Sequence, residues 1–301
     1  MSEIERIEKE KTKARQTQAW RDFCNRCLEK SPCTVQDLRR FAAENTTGFV
    51  AIDFDGWTES TTEVTEMGLT YVPPSTRLPP EEIDGQTLER RIHVISVARA
   101  AFQSHSIRIK GRKRDDAHRE EYWYEPPQQV EPEEAEEEVL KVLRGFRTDS
   151  GPPCLVGFGL VFELRVLLFT YPRLLEEFPI IIDLQPVAQD LYSVSKQPSL
   201  RNTLIACGLG CITKRRADGM LCAGNDATRI ALLLVKMLGL PPASPQGPLA
   251  TAEFEGTNKR YNWSKNGFLR FRKFWPETRP MPPGALSIYG GGGAGGWWYA
   301  M

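Results

Sequence analysis

The chain carries no net charge: 39 Lys and Arg stand against 39 Asp and Glu in 301 residues. Overall charge therefore points to neither a nucleic-acid nor a membrane partner, and only local patches can. No apolar run approaches the roughly 18 residues that cross a bilayer. The longest, IALLLVKMLGL, is short and broken by Lys236, which predicts no membrane partner. The N-terminus MSEIERIEKEKTKARQ is charged throughout and lacks an apolar stretch of the kind a secretory signal needs. The seven cysteines, an odd number, then read as reduced thiols of a cytoplasmic or nuclear protein that is not secreted. The pair Cys24 and Cys27 forms a CxxC, but no second CxxC or neighbouring His completes a four-ligand zinc site. These two read as ordinary helix cysteines. No internal repeat is present.

What is present suits a folded α/β domain with extensions: 41% hydrophobic and 26% charged residues. Residues 3 to about 30 read as a charged helix. A second helix runs through TVQDLRRFAAE, with Thr34 as N-cap and Asp37 in the first turn. Strands follow at GFVAID and VTEMGLTYV, separated by the turn-like GWTESTTE. PPSTRLPPEEIDG is a proline-rich loop, and SIRIK (106–110) alternates as a third strand. Residues 111–132 read as loop. Six glutamates between Glu131 and Glu138 form the acidic first turn of a helix, favoured by the helix dipole. CLVGFG is a strand, LVFELRVLLF a helix, FPIIID a buried strand and SLRNTLIACGL a short helix. CAGNDATRIALLLVKMLGL is a long, largely buried helix closing near Gly239. This order predicts a mixed sheet of about five strands flanked by helices. Three regions result: an N-terminal helical extension (1–46), the α/β domain (47–242) and a Pro/Gly-rich tail (243–301) that reads as flexible.

The most informative stretch is FVAIDFDGWTES. A buried strand runs into Asp53 and Asp55, two carboxylates on one face, roughly 6 to 7 Å apart. Such a pair repels itself unless a cation intervenes, and Mg²⁺ favours oxygen ligands of this kind. Taken alone, the pair reads rather as Asp53 ending the strand and Asp55 capping the turn at Gly56. Downstream come Glu163 on the helix after CLVGFG and Asp226 near the start of the long helix, within Leu221-Cys222-Ala223-Gly224-Asn225-Asp226-Ala227. Asp226 alone also reads as a helix N-cap. Asp183 reads as a strand-end cap or as support for a metal site.

Taken in order, AIDFD, VTEMGLTYV, LVGFGLVFEL and LCAGNDA resemble the DEDD-type 3′–5′ exonucleases of the ribonuclease-H-like superfamily. The resemblance covers about residues 47–241. It is greatest to a fungal group of DEDDh-like proteins that includes the yeast factor supporting an RNA-export DEAD-box helicase, whose third motif runs H-N-A-G-N-D-A. It implies a ribonuclease-H-like fold. It also implies a catalytic and metal-binding set of Asp53, Asp55, Glu163 and Asp226 around Mg²⁺ or Mn²⁺, the arrangement that cleaves phosphodiesters with two ions roughly 3.5 to 4 Å apart.

Against that pattern, Asp55 stands for Glu and Glu163 for Asp. Leu221 takes the place of the histidine that serves as general base, a group worth roughly 10²- to 10⁴-fold. The tyrosine branch would have Tyr where Cys222 stands, and Phe158 replaces a residue that is often polar. His93, His105 and His118 lie outside the motifs. The expectation is therefore a nucleic-acid-binding protein with a degenerate exonuclease domain and weak or no hydrolysis. The alternatives are an active metal-dependent 3′–5′ exonuclease on single-stranded RNA or DNA, and a protein-interaction scaffold using the N-terminal helix or the tail. In the tail, residues 259–275 hold six basic and six aromatic residues and no acid. Lys259, Arg260, Tyr261, Trp263, Arg270, Arg272 and Lys273 suit phosphates and stacked bases of a single strand. They equally suit a tail whose rings dock on the domain.

Overall fold

The computed structural model describes residues 18–56, 64–74, 76, 88–111, 121–192, 197–213 and 222–239. Leu221, His118 and the tail, with all its basic and aromatic candidates, lie outside the described residues. The chain divides into two compact units, one comprising Met1–Lys30 with Arg260–Met301, the other Ser31–Lys259. The described part of the first is a helix at 18–27 (α1), in which Trp20 and Phe23 stack with ring centroids 5.5 Å apart.

The second unit is α/β. Its elements are α2 (Val35–Glu44), β1 (Phe49–Gly56), β2 (Val64–Val72), α3 (Leu88–Ala101), β3 (Gln103–Ile109), β4 (Gln128–Val130), α4 (Ala135–Gly145), β5 (Cys154–Gly157), α5 (Val161–Phe169), α6 (Pro172–Glu176), β6 (Ile181–Asp183), α7 (Leu184–Leu191), α8 (Leu200–Ala206) and α9 (Ala223–Gly239), with a 3₁₀ turn at Gly210–Ile212. Six strands form one mixed sheet in the order β4-β3-β2-β1-β5-β6. The strands β1, β2 and β3 are antiparallel neighbours, while β5 and β6 run parallel to β1. A central antiparallel meander extended by parallel strands on the β1 side is consistent with a ribonuclease-H-like sheet.

Local chemistry accounts for the boundaries. Thr34 caps α2, its Oγ1 accepting from the N–H of Asp37 at 3.1 Å. The glutamate run enters α4, where Glu136, Glu137 and Glu138 occupy the first turn. The outer edge at β6 is closed by Ser31, whose Oγ accepts the Asp183 N–H at 3.1 Å.

The differences from sequence expectation are specific. The strand β1 does not stop at Asp53 but continues through Asp55, with a register shift at Asp55/Gly56. A helix, α3, separates β2 from β3, and the third strand begins at Gln103 rather than Ser106. A sixth strand, β4, lies inside the stretch read as loop. The helices α6 and α7 were not expected either.

The helices sort by the two faces of the sheet. Phe49, Ala51 and Val72 join Val156 and Ile182 in one core with α2, α7, α8 and α9. The opposite face carries α4, whose flanking Phe146 stacks on Tyr71 with centroids 5.1 Å apart. The helix α9 crosses β1 and β2, and it does so at Gly68. A Cβ built on Gly68 falls against the carbonyl of Ala223 and the backbone nitrogen of Gly224. Backbone cannot move aside as a flexible side chain does. Gly68→Ala is expected to lower unfolding free energy by about 2–3 kcal/mol, read from urea denaturation. An unchanged midpoint would show that α9 is free to lift from the sheet.

Candidate functional site

Three parallel strands, β1, β5 and β6, end at one edge of the sheet, and each delivers chemistry there. This is where open α/β sheets place their binding crevices. Alternation along β1 puts Asp53 and Asp55 on the face that carries α9. Asp53 stands directly across from Gly68 and Asp55 from Glu66. Because Ala223 rests on Gly68, the first turn of α9 starts over the cross-strand neighbour of Asp53.

Glu163 comes from the first turn of α5 and is buried at 9% exposure. Its carboxylate accepts from the N–H of Phe54 on β1 and from its own N–H, and feels the charges of Asp183 and Asp55. Burial first, and those two neighbours next, push the Glu163 carboxyl up to about 8. The structure thus brings Asp55 and Glu163 together, and adds Asp183.

Asp183 is occupied by backbone. Its Oδ1 accepts from Gly159 at 2.8 Å and from Gln185 at 2.9 Å, and its Oδ2 from Leu160 at 3.2 Å. It caps α7 and ties down the turn after β5. Gly159 sits in that turn at φ +70°, a backbone state that glycine adopts without strain.

Asp226 is in the first turn of α9 but is not its N-cap. Its Oδ1 accepts from Nη1 of Arg229 at 2.8 Å, in an i,i+3 pair with side chains 14% and 2% exposed. Arg229 also donates through Nε to the Ile212 carbonyl at 2.8 Å, and its guanidinium lies 4.7 Å from the ring centre of Trp123. The segment 121–124 is strapped over this turn. Asn225 accepts from the N–H of Trp123 and donates to the carbonyl of Glu121, and the Tyr122 hydroxyl donates to Ser104.

Beside these acids lies a further buried carboxylate, Glu66, with no exposed surface. It accepts from Ser106 at 2.7 Å, from Arg108 at 3.1 Å and from the Cys222 thiol at 3.4 Å. Burial, then the Glu66 charge, raises the Cys222 thiol to about 12, so it is protonated and a poor proton acceptor. His105 packs against Phe146 on the face away from α9, and burial lowers its pKa. Cys27 is pushed up to about 12 by burial, and Cys24, Cys27 and Cys33 are not joined in disulfides.

The donor set departs from what two divalent ions need. Among the described residues no three His, Cys, Asp or Glu side chains converge so as to hold a metal ion. Asp226 has a guanidinium on one oxygen. Sequence reasoning missed Arg229, Glu66 and Trp123. A signal for the first was available: an arginine three residues after an acid, inside an otherwise apolar helix. No protein-family model matches the chain, and no curated protein matches it either.

The proton on Glu163 has a stability signature. Its folded pKa lies above the ordinary 4.5, so the linked stability is complete below about pH 4.5 and is lost as pH rises through about 8. Thermal unfolding of the native chain and Glu163→Gln between pH 5 and 9 reads this out. The native chain should lose ground to the variant as pH rises, by roughly 2–4 °C for each kcal/mol of linkage. Parallel profiles would show that Glu163 is ionised throughout.

Proposed function

We propose that this chain is a nucleic-acid-binding protein built on a degenerate DEDDh-type 3′–5′ exonuclease domain, with weak or no hydrolysis of its own. The observation that carries the reading is the Asp226–Arg229 ion pair. Two-metal cleavage needs carboxylates that hand their charge to the ions. Here the carboxylate that would stand in the third motif, Asp226, shares its charge with a buried arginine, and burial raises the Glu163 carboxyl above its ordinary range. The replacement of the general base by Leu221, beside a protonated Cys222, removes the usual route for deprotonating water. The placement of Asp55 and Glu163 at the carboxyl edge of β1, β5 and β6 supports descent from an acid-lined nuclease site. The ligand class that fits is single-stranded RNA or DNA, with the basic and aromatic residues 259–275 as an additional contact.

Two measurements test this. End-labelled single-stranded RNA and DNA, incubated with excess full chain and Mg²⁺ or Mn²⁺, should remain uncut, and Leu221→His should not restore trimming. Degradation that disappears in Asp53→Ala would establish an active exonuclease instead. The same oligonucleotides should bind with an affinity that falls steeply with salt and weakens about tenfold or more when residues 243–301 are removed. Failure to bind either oligonucleotide at low salt would favour a protein-interaction scaffold.

A further inference from the structure

We propose that the outer side of α3 is a contact surface for single-stranded nucleic acid, with Arg91 and Arg99 taking phosphates and Ile92 meeting an apolar base face; this deepens the nucleic-acid-binding reading and rests on it. The two faces of the sheet differ in charge. Around α4, six glutamates stand between Glu131 and Glu138. The basic residues there, Lys110, Lys141, Arg144, Arg147 and Arg173, each lie in an ion pair with a glutamate. A polyanion is repelled on that side. The α9 side is opposite in sign. Val94 and Ala98 of α3 and Leu204 of α8 enter the core shared with α9, and the 3₁₀ turn packs against both α3 and α8. These two helices carry Arg90, Arg91, Arg99 and Arg201 against a single acid, Glu89. A chain with no net charge is thus polarised across its sheet.

The arginines of α3 are also ordered. Arg91, Ile95 and Arg99 follow one another at four-residue steps and share a ridge, which sets the two arginines about 12 Å apart along the helix. At one end, the charges of Arg90 and Arg91 reach Cys211 in the 3₁₀ turn. At the other, Arg99 is exposed and its charge reaches the hydroxyl of Tyr124 on the 121–124 strap. Beside the ridge stands Ile92, 57% exposed and the one exposed large hydrophobic side chain among the described residues. Phosphates alternating with apolar base faces match this mixture of guanidinium and hydrocarbon. An acidic helical peptide matches it less well, because helix docking takes several apolar anchors in a groove and α3 presents one isoleucine without a groove.

The test uses the full chain, with fluorescein-labelled oligo(U) and oligo(dT) followed by fluorescence anisotropy across a KCl series. The double variant Arg91→Gln with Arg99→Gln should bind about fivefold or more weakly than the native chain at low salt. Its slope of log affinity against log salt should be shallower by about 1.4, as expected for two lost phosphate contacts on a single strand. Lys141→Gln with Arg144→Gln removes the same charge from the α4 side and should change neither quantity. Equal weakening in both double variants would reveal a response to net charge alone and overturn the proposal. So would native affinity and slope in the α3 variant. If that variant folds poorly by circular dichroism, Ile92→Glu and Arg99→Gln, each at an exposed position, decide: both should weaken binding, and no change in either overturns the surface. Polyglutamate that displaces the probe as well as unlabelled oligo(U) at equal charge would assign α3 to an acidic protein partner instead. A native chain that binds neither oligonucleotide sinks the nucleic-acid reading and this surface with it, whereas binding that ignores α3 sinks the surface alone.

Discussion

Helix α9 meets β2 so closely at Gly68 that no methyl group fits between them, and the rest of the site follows from that contact. With Ala223 seated on Gly68, the next turn of α9 has only one place to be. Gly224 accepts the close approach of Tyr122 and Ser106, Asn225 reaches the 121–124 strap, and Asp226 and Arg229 pair along the helix. The hydroxyls of Thr70, Ser104 and Thr228 interlock at 2.8 to 3.2 Å one turn further on. They satisfy one another. The docking is thus polar at the N-terminal end of α9 and apolar beyond it, where Ile230 to Val235 enter the core.

That division explains how so many acids coexist at one edge of the sheet. Four of these carboxylates are answered locally and differently. Asp183 is answered by three backbone N–H groups, Glu66 by Ser106 and Arg108, and Asp226 by Arg229. Glu163 draws on backbone N–H groups and on its own proton. Unanswered, any one of these charges would be costly in so dry a setting.

Much of this fold was readable because the deciding forces are local or periodic. The run VTEMGLTYV became β2 residue for residue: it is rich in β-branched and aromatic residues, and every position is buried. The glutamate run announced α4 through the helix dipole, and Thr34 announced α2 through its cap. What could not be read depends on partners distant in sequence. The helix α3 has apolar residues scattered around it rather than in one stripe, and it follows a proline-rich segment that reads as loop. The strand β4 has three residues and exists only because β3 offers an edge, parallel from Ile107 to Ile109. The acids could be singled out from the stretches AIDFD, LVFEL and GNDA. Their charge state could not. That Asp226 is paired depends on Ile212 and Trp123, which lie 17 and more than 100 positions away along the chain, holding Arg229 in place.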